Sequence, residues 1–218
     1  MRRKWLSQAQ RTPIAPLYAQ SPLKLKTPFL SQDFLVVDCE MSGLDAKKCD
    51  LLSIGWVRIR QGKIDYNSRK HVLIHSSETV GDSIRIHGLC DQQLAGASSV
   101  SKVLGLLASH IQGAVLVFHH AYLDIAFIQR ASMQSFACPM FFPYVDTLLI
   151  EQQRLERQGK TGALQLVECR ERYGLPAAFQ HNAMFDAIAT AELFLAQYAY
   201  MKGKAEISLE SLKVNLSN

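Results

Sequence analysis

A chain of 218 residues, 48% of them hydrophobic, carries enough apolar side chains for one ordinary domain with a buried core plus appendages, and its formal charge is +5. No uninterrupted apolar run approaches the ~20 residues of a membrane helix, and Met1-Arg2-Arg3-Lys4-Trp5 leads into polar residues and Pro13 instead of an apolar signal core, so a soluble, cytoplasmic chain without membrane attachment is expected. Five cysteines, an odd number without a C-x-x-C pair, speak against a disulfide framework or zinc ribbon and fit a reducing compartment.

Residues 1–33 contain the whole charge excess, with six basic residues and Asp33 as the only acid. This basic, proline-containing extension reads either as an arm that contacts phosphates or as a solvated tail. Pro13, Pro16, Pro22 and Pro28 oppose a long amphipathic helix and with it a mitochondrial transit peptide. The domain proper is expected over residues 34–200. Phe34-Leu35-Val36-Val37 is an apolar, β-branched run suited to a strand buried on both faces. A second strand runs from Leu51 to Ile59, and after Gln61-Gly62 a third extends through Tyr66 to Ile74; the short Gly turn predicts a hairpin and an antiparallel meander.

A polar loop ends at Cys90-Asp91, with Asp91 as a candidate N-cap. Helical spacing of Val100, Val103, Leu104 and Leu107 stops at Gly113, before a short strand over Ala114–Phe118. A helix from about Ala121 to Met133 and a fifth strand near Tyr144-Val145-Asp146 follow. Helical segments then cover most of 147–158, 162–173 and 183–200, divided by Gly159, Gly174 and Pro176. The order describes an α/β domain with a mixed five-stranded sheet flanked by helices. Residues 201–218 are polar and aperiodic, a loose tail.

Acidic residues gather at the ends of these elements. Alternation along the first strand projects Asp38 and Glu40 to one face and turns Val37 and Cys39 to the other. Two acids on one face at the end of an apolar strand repel unless a cation lies between them, or unless the strand end is exposed and charge there is cheap. Cys39 reads as a small buried hydrophobe without chemistry. Asp124 falls in the first turn or two of the helix after Phe118, where the helix dipole tolerates an anion and where dipole compensation alone would explain it. His181 and Asp186 would stand about 140° apart on one continuous helix. Both reach one site only if His181 lies in the preceding loop and Asp186 in the helix.

Taken together, these segments resemble the DEDDh exonucleases, the proofreading-subunit-like (DnaQ-like, DNA polymerase III epsilon-like) 3′–5′ exonucleases, over roughly residues 34–200. Val37-Asp38-Cys39-Glu40-Met41-Ser42-Gly43-Leu44-Asp45 is similar to D-x-E-T/M-T/S-G-L-D, His119-His120-Ala121-Tyr122-Leu123-Asp124 to H-N-A-x-F-D, Val145-Asp146-Thr147-Leu148 to V-D-T-L, and His181 to Asp186 to H-x-A-x-x-D. His120, Leu123 and Met41 depart from the commonest residues at their positions, which bears on substrate preference. Glu40-Met41-Ser42-Gly43-Leu44 also looks like the first motif of oligoribonucleases.

The resemblance implies an RNase H-like fold and hydrolysis of phosphodiesters at a 3′ end. It implies two Mg2+ or Mn2+ ions held by Asp38, Glu40, Asp124 and Asp186, with His181 taking a proton from the attacking water. Main-chain amides around Met41, Ser42 and Gly43, together with His87, are implied as contacts to the terminal nucleotide. The implied partner is a nucleic acid with a free 3′ end, DNA favoured over RNA, with a DNA polymerase as a further partner. Trp5 and Trp56 are candidate stacking residues, with core as the alternative for Trp56. A tyrosine-type relative would carry Tyr where Asn182 stands, and an RNase H-type endonuclease would not place its glutamate two residues after the first aspartate. An RNA exonuclease of the oligoribonuclease type, or a binding module that has lost catalysis, are the remaining alternatives.

Overall fold

The computed structural model describes residues 2–76, 91–178, 181–202 and 207–217. The expected meander forms from β1 (Asp33–Met41), β2 (Leu51–Arg60) and β3 (Lys63–Leu73). Its tight turn is made by Gln61 and Gly62, whose φ values of 50° and 69° match the twist of a two-residue hairpin. Next to β1 lie β4 (Ala114–Phe118), parallel to it, and β5 (Pro143–Asp146), parallel to β4.

Helices α1 (Arg2–Ala9) and α2 (Ala15–Tyr18) precede the sheet, α3 (Asp91–Ala95) and α4 (Val100–Ile111) lead into β4, and α5 (Ala121–Phe136) leads toward β5. The chain continues through α6 (Thr147–Arg157), α7 (Leu166–Arg172) and α8 (Ala183–Lys202). Asp91 is the first residue of α3, and α7 starts at Leu166, later than the expected 162. No helix among the described residues is long and apolar enough to cross a membrane.

Alternation in β1 gives the sheet two cores. Leu35, Val37 and Cys39 pack toward Leu104, Leu107 and Phe127 of α4 and α5, while Phe34 and Val36 join Val57, Phe194 and Tyr198 on the side covered by α8. Asp38 and Glu40 continue the second series, so their side chains belong to the α8 face. On that face α7 is held to α6 by a fully buried carboxylate: Glu151 accepts from Arg154 at 2.6 Å and 3.0 Å, Arg172 at 2.7 Å and Tyr173 at 2.8 Å. Burial pushes the Glu151 carboxyl up, but these donors outweigh it and hold the group below its ordinary value.

Both chain extensions depart from expectation. The N-terminal segment packs on the domain: Ala9, Ile14 and Leu17 are buried, Gln8 donates to the Phe136 carbonyl at 3.0 Å, and Tyr18 donates to that of Pro139 at 2.6 Å. Its basic side chains Arg3, Lys4, Arg11, Lys24 and Lys26 still face solvent. The tail is not loose either. Leu209 and Leu212 are buried, and β6 (Asn215–Leu216) pairs antiparallel with β5, giving six strands in the order β3-β2-β1-β4-β5-β6.

The two extensions also run beside each other, with Phe29 N bonded to Ile207 O, Leu209 N to Thr27 O and Glu210 N to Leu25 O at 2.8–3.1 Å. Phe29 stacks on Tyr198 with centroids 3.7 Å apart. Phe29→Ala is therefore expected to cost about 3–5 kcal/mol, as truncation of a buried aromatic does. Chemical denaturation or melting measures this; an unchanged midpoint would mean that the segment is not part of the folded core.

Candidate active site

Asp38 and Glu40 stand at the C-terminal end of β1, where the ladder with β2 breaks register between Glu40 and Met41. Asp186 reaches them from the first turn of α8. One carboxylate oxygen from each of Asp38, Glu40 and Asp186 lies within 4.8 Å of the others. Asp124 comes from the opposite helical layer. It sits in the first turn of α5, only 6% exposed, and its Oδ1 has no hydrogen-bond partner among the described residues. The structure thus joins three of the four expected acids in one tight group, with Asp124 beside Cys39 and its charge foremost among those acting on Asp38.

Local sequence explains the placement of each arm. Asn182 caps α8: its Oδ1 accepts from Met184 N at 3.2 Å and Phe185 N at 3.4 Å, while Asp186 Oδ2 accepts from Asn182 N at 3.0 Å. This lock leaves His181 outside the helix, exposed and with φ at 63°, as the required geometry demanded. Arg170, buried between α7 and α8, donates to the carbonyls of Ala189 and Pro176 at 2.6 Å and 2.9 Å and to Glu192 at 2.7 Å, fixing the chain that leads toward His181.

Asp146 organises the other side. Its Oδ1 accepts from His120 N at 3.0 Å and Leu148 N at 2.9 Å, and its Oδ2 accepts from Ala121 N at 2.9 Å, so one carboxylate caps the starts of both α5 and α6. His120 takes the left-handed conformation at φ 67°, where Asn is the more comfortable residue. His119 lies 2.8 Å from Thr147 Oγ1 and donates through Nε2 to the Leu164 carbonyl at 2.9 Å, tethering the loop before α7. The sequence reading missed the capping roles of Asn182 and Asp146, although Asn before a helical run and Asp before Thr147 are recognisable cap signals.

A cleft of about 530 Å3 opens beside the acids. Asp38, His181 and Asp186 line it together with Gln165, Glu168 and Pro176. Several expected contacts shift. The Ser42 amide donates to Asp50 O at 2.9 Å and the Ser42 hydroxyl accepts from Asp50 N at 2.8 Å, so the Ser42 amide is engaged within its own loop. A Cβ on Gly43 would lie 2.7 Å from Cys49 Sγ, so glycine there leaves room for the Cys49 side chain. Met41 is half-buried against the core, and His87 lies outside the described residues. Trp56 is fully buried, in line with its core alternative, and Trp5 is partly buried against the core. Leu44, Tyr122 and Phe185, one from each acid-bearing segment, are 82%, 79% and 42% exposed.

The group is electrostatically strained. Burial, followed by the charges of Asp124, Asp186 and Glu40, holds the Asp38 carboxyl well above the carboxylate range. Burial and the charges of Asp186 and Asp124 push Glu40 up to about 8, and burial raises Asp124 to about 7 and Asp186 less far. Without a cation the folded chain therefore binds more protons than the unfolded chain between the ordinary Glu value of 4.5 and about 8. Stability from this source is full below that window and is lost as pH rises through it. Melting of the metal-free protein is expected to fall with pH across this range, and Mn2+ to flatten the decline while releasing protons. Calorimetry in buffers of different ionisation enthalpy reads the release; binding without proton release would contradict the raised values.

Similar proteins are known. The family model described as Exonuclease (RNase_T) matches residues 35–194. DNA polymerase III PolC-type from Thermotoga petrophila is 29% identical over 195 residues, 88% of this chain but 14% of that protein, so the chain spans a small part of that relative. DNA polymerase III subunit epsilon from Aquifex aeolicus is 25% identical over 174 residues, covering 79% of this chain and 84% of its own length.

Among solved structures, Exonuclease X in complex with 5′ overhanging duplex DNA has a TM-score of 0.60 at 17% identity, over 79% of this chain and 95% of that one. E. coli Exonuclease I in complex with a dT13 oligonucleotide has a TM-score of 0.62 at 12% identity, over 75% and 40%. These two likenesses concern the fold, the RNase H-like α/β arrangement expected from the sequence. The family match begins inside β1, ends inside α8 and takes in all four acids and His181; this chain belongs to the RNase_T family of exonucleases, the DnaQ-like group.

Proposed function

We propose that the chain hydrolyses phosphodiester bonds at the 3′ end of a nucleic-acid strand, releasing nucleoside 5′-monophosphates with two Mg2+ or Mn2+ ions. The observation that carries this reading is the convergence of Asp38, Glu40 and Asp186 within 4.8 Å. The buried, unpartnered Oδ1 of Asp124 fits the same cation chemistry from the other layer, and hard carboxylate oxygens suit Mg2+ or Mn2+. When bound, such ions neutralise charge on the reacting phosphate and make water a stronger nucleophile.

The chain's own residues supply the rest. Asp38, Glu40, Asp124 and Asp186 would hold the ions, and His181 at the lip of the cleft takes the proton of the attacking water through an imidazole nitrogen. Amides near Met41 and Gly43 position the terminal nucleotide. DNA is favoured over RNA, consistent with relatives named as DNA polymerase III components, and a DNA polymerase is the proposed partner.

With Mg2+ or Mn2+, a 3′-labelled oligonucleotide should yield mononucleotides. Asp186→Ala should abolish this, while His181→Ala should lower kcat by about 10²–10⁴-fold and leave most metal binding intact. Internal cuts, or full activity in Asp186→Ala, would refute the mechanism. Matched DNA and RNA oligonucleotides tested in parallel decide the polymer.

Tyr122, largely exposed two residues before Asp124, is proposed as a stacking platform for an unpaired base. Tyr122→Ala should raise KM for single-stranded DNA by about tenfold, in line with ~1–3 kcal/mol per stacked base. Unchanged KM would assign Tyr122 to another surface.

A further inference from the structure

Gly55 lies in the middle of β2, directly across the ladder from Asp38. Neither a turn nor an unusual φ calls for glycine there. What calls for it is the main chain of α8. A Cβ placed on Gly55 would fall 2.1 Å from the Ala183 carbonyl carbon, 2.2 Å from Met184 N and 2.3 Å from Ala183 O. These are backbone atoms, so no side-chain rotation relieves the overlap. The first turn of α8 rests on bare sheet at the one position beside Asp38 that has no side chain.

From this contact we propose that Gly55 is a positioning residue for the reaction assigned above: it sets the depth at which α8 meets the sheet, and so the reach of Asp186 toward Asp38 and Glu40. The inference rests on the nuclease reading for its kinetic consequences and on geometry alone for its structural one. Restoring ordinary contact would lift Ala183 and Met184 by roughly 1 Å or more. Asp186 follows within the same turn, and His181 is tied to it through the bond from Asn182 N to Asp186 Oδ2. The tight three-acid group would open, and the base would move with it. Displacements near 1 Å at a reacting centre can cost about 10²-fold in rate.

The experiment compares Gly55→Ala with Gly105→Ala. Gly105 is a control of similar kind, because a Cβ there would meet Pro13 Cβ at 2.8 Å, where the N-terminal segment packs on α4. Both variants should melt lower than the parent. Only Gly55→Ala should lose kcat, by about 10²-fold, with KM for a single-stranded oligonucleotide held within about threefold. It should also bind Mn2+ more weakly by calorimetry, a readout that needs no turnover.

Should Gly55→Ala fail to fold, Ala183→Val disturbs the seating of the same helical turn, since Ala183 is fully buried at the start of α8; the same loss of kcat and Mn2+ affinity is expected. A folded Gly55→Ala or Ala183→Val with parental kcat and Mn2+ affinity would overturn the inference, as would a kcat loss of equal size in Gly105→Ala. If the parent leaves every oligonucleotide intact, the nuclease reading fails by itself, and Mn2+ affinity in parent and variant still decides the role of Gly55.

Discussion

Repulsion among four carboxylates, Asp124 buried and Asp38, Glu40 and Asp186 half-buried, is the constraint around which this domain is arranged. Desolvation alone raises the protonation of Asp38, Glu40, Asp124 and Asp186, and their mutual charge raises that of Asp38 and Glu40 further. Such a group persists only where other interactions over-determine its position. Here two packed cores clamp β1 from both faces, and separate cap networks hold the two helices that deliver the remaining acids. The arrangement trades stability for a strong and local affinity for positive charge.

The second level of support is polar. Asp146 serves three amides at the roots of α5 and α6, and Arg170 and Glu151 bind α7 to its neighbours through donors and acceptors that are almost entirely paired. Buried ionic groups of this type contribute little net stability when complete and cost several kcal/mol when one partner is lost. Their value here is geometric. They fix the distance between α7, which lines the cleft, and the segment that carries His181.

Much of the site was legible because two periodicities suffice to read it. Period two in β1 put Asp38 and Glu40 on one face, and the pitch of a helix forced His181 out of α8 if Asp186 was to be in it. Asp124 was legible only through its motif, since an acid in a first helical turn has an ordinary electrostatic explanation. The packing of Ile14, Leu17 and Phe29 was hidden, because prolines interrupt any repeat and single apolar residues do not announce their burial. The two-residue strand β6 is too short to leave a pattern. The demand for glycine at position 55 lies wholly in a contact with residues far along the chain, which no local rule contains.

The separation of the acids between two helical layers has a mechanical side. Asp38, Glu40 and Asp186 gather on the face under α8, while Asp124 arrives from α5 beside Cys39, and its charge is the foremost one acting on Asp38. Residues of both layers would therefore contribute to holding a cation at this edge of the sheet. Binding there would couple the two layers, so that loss of the ion and loosening of this edge of the sheet would go together.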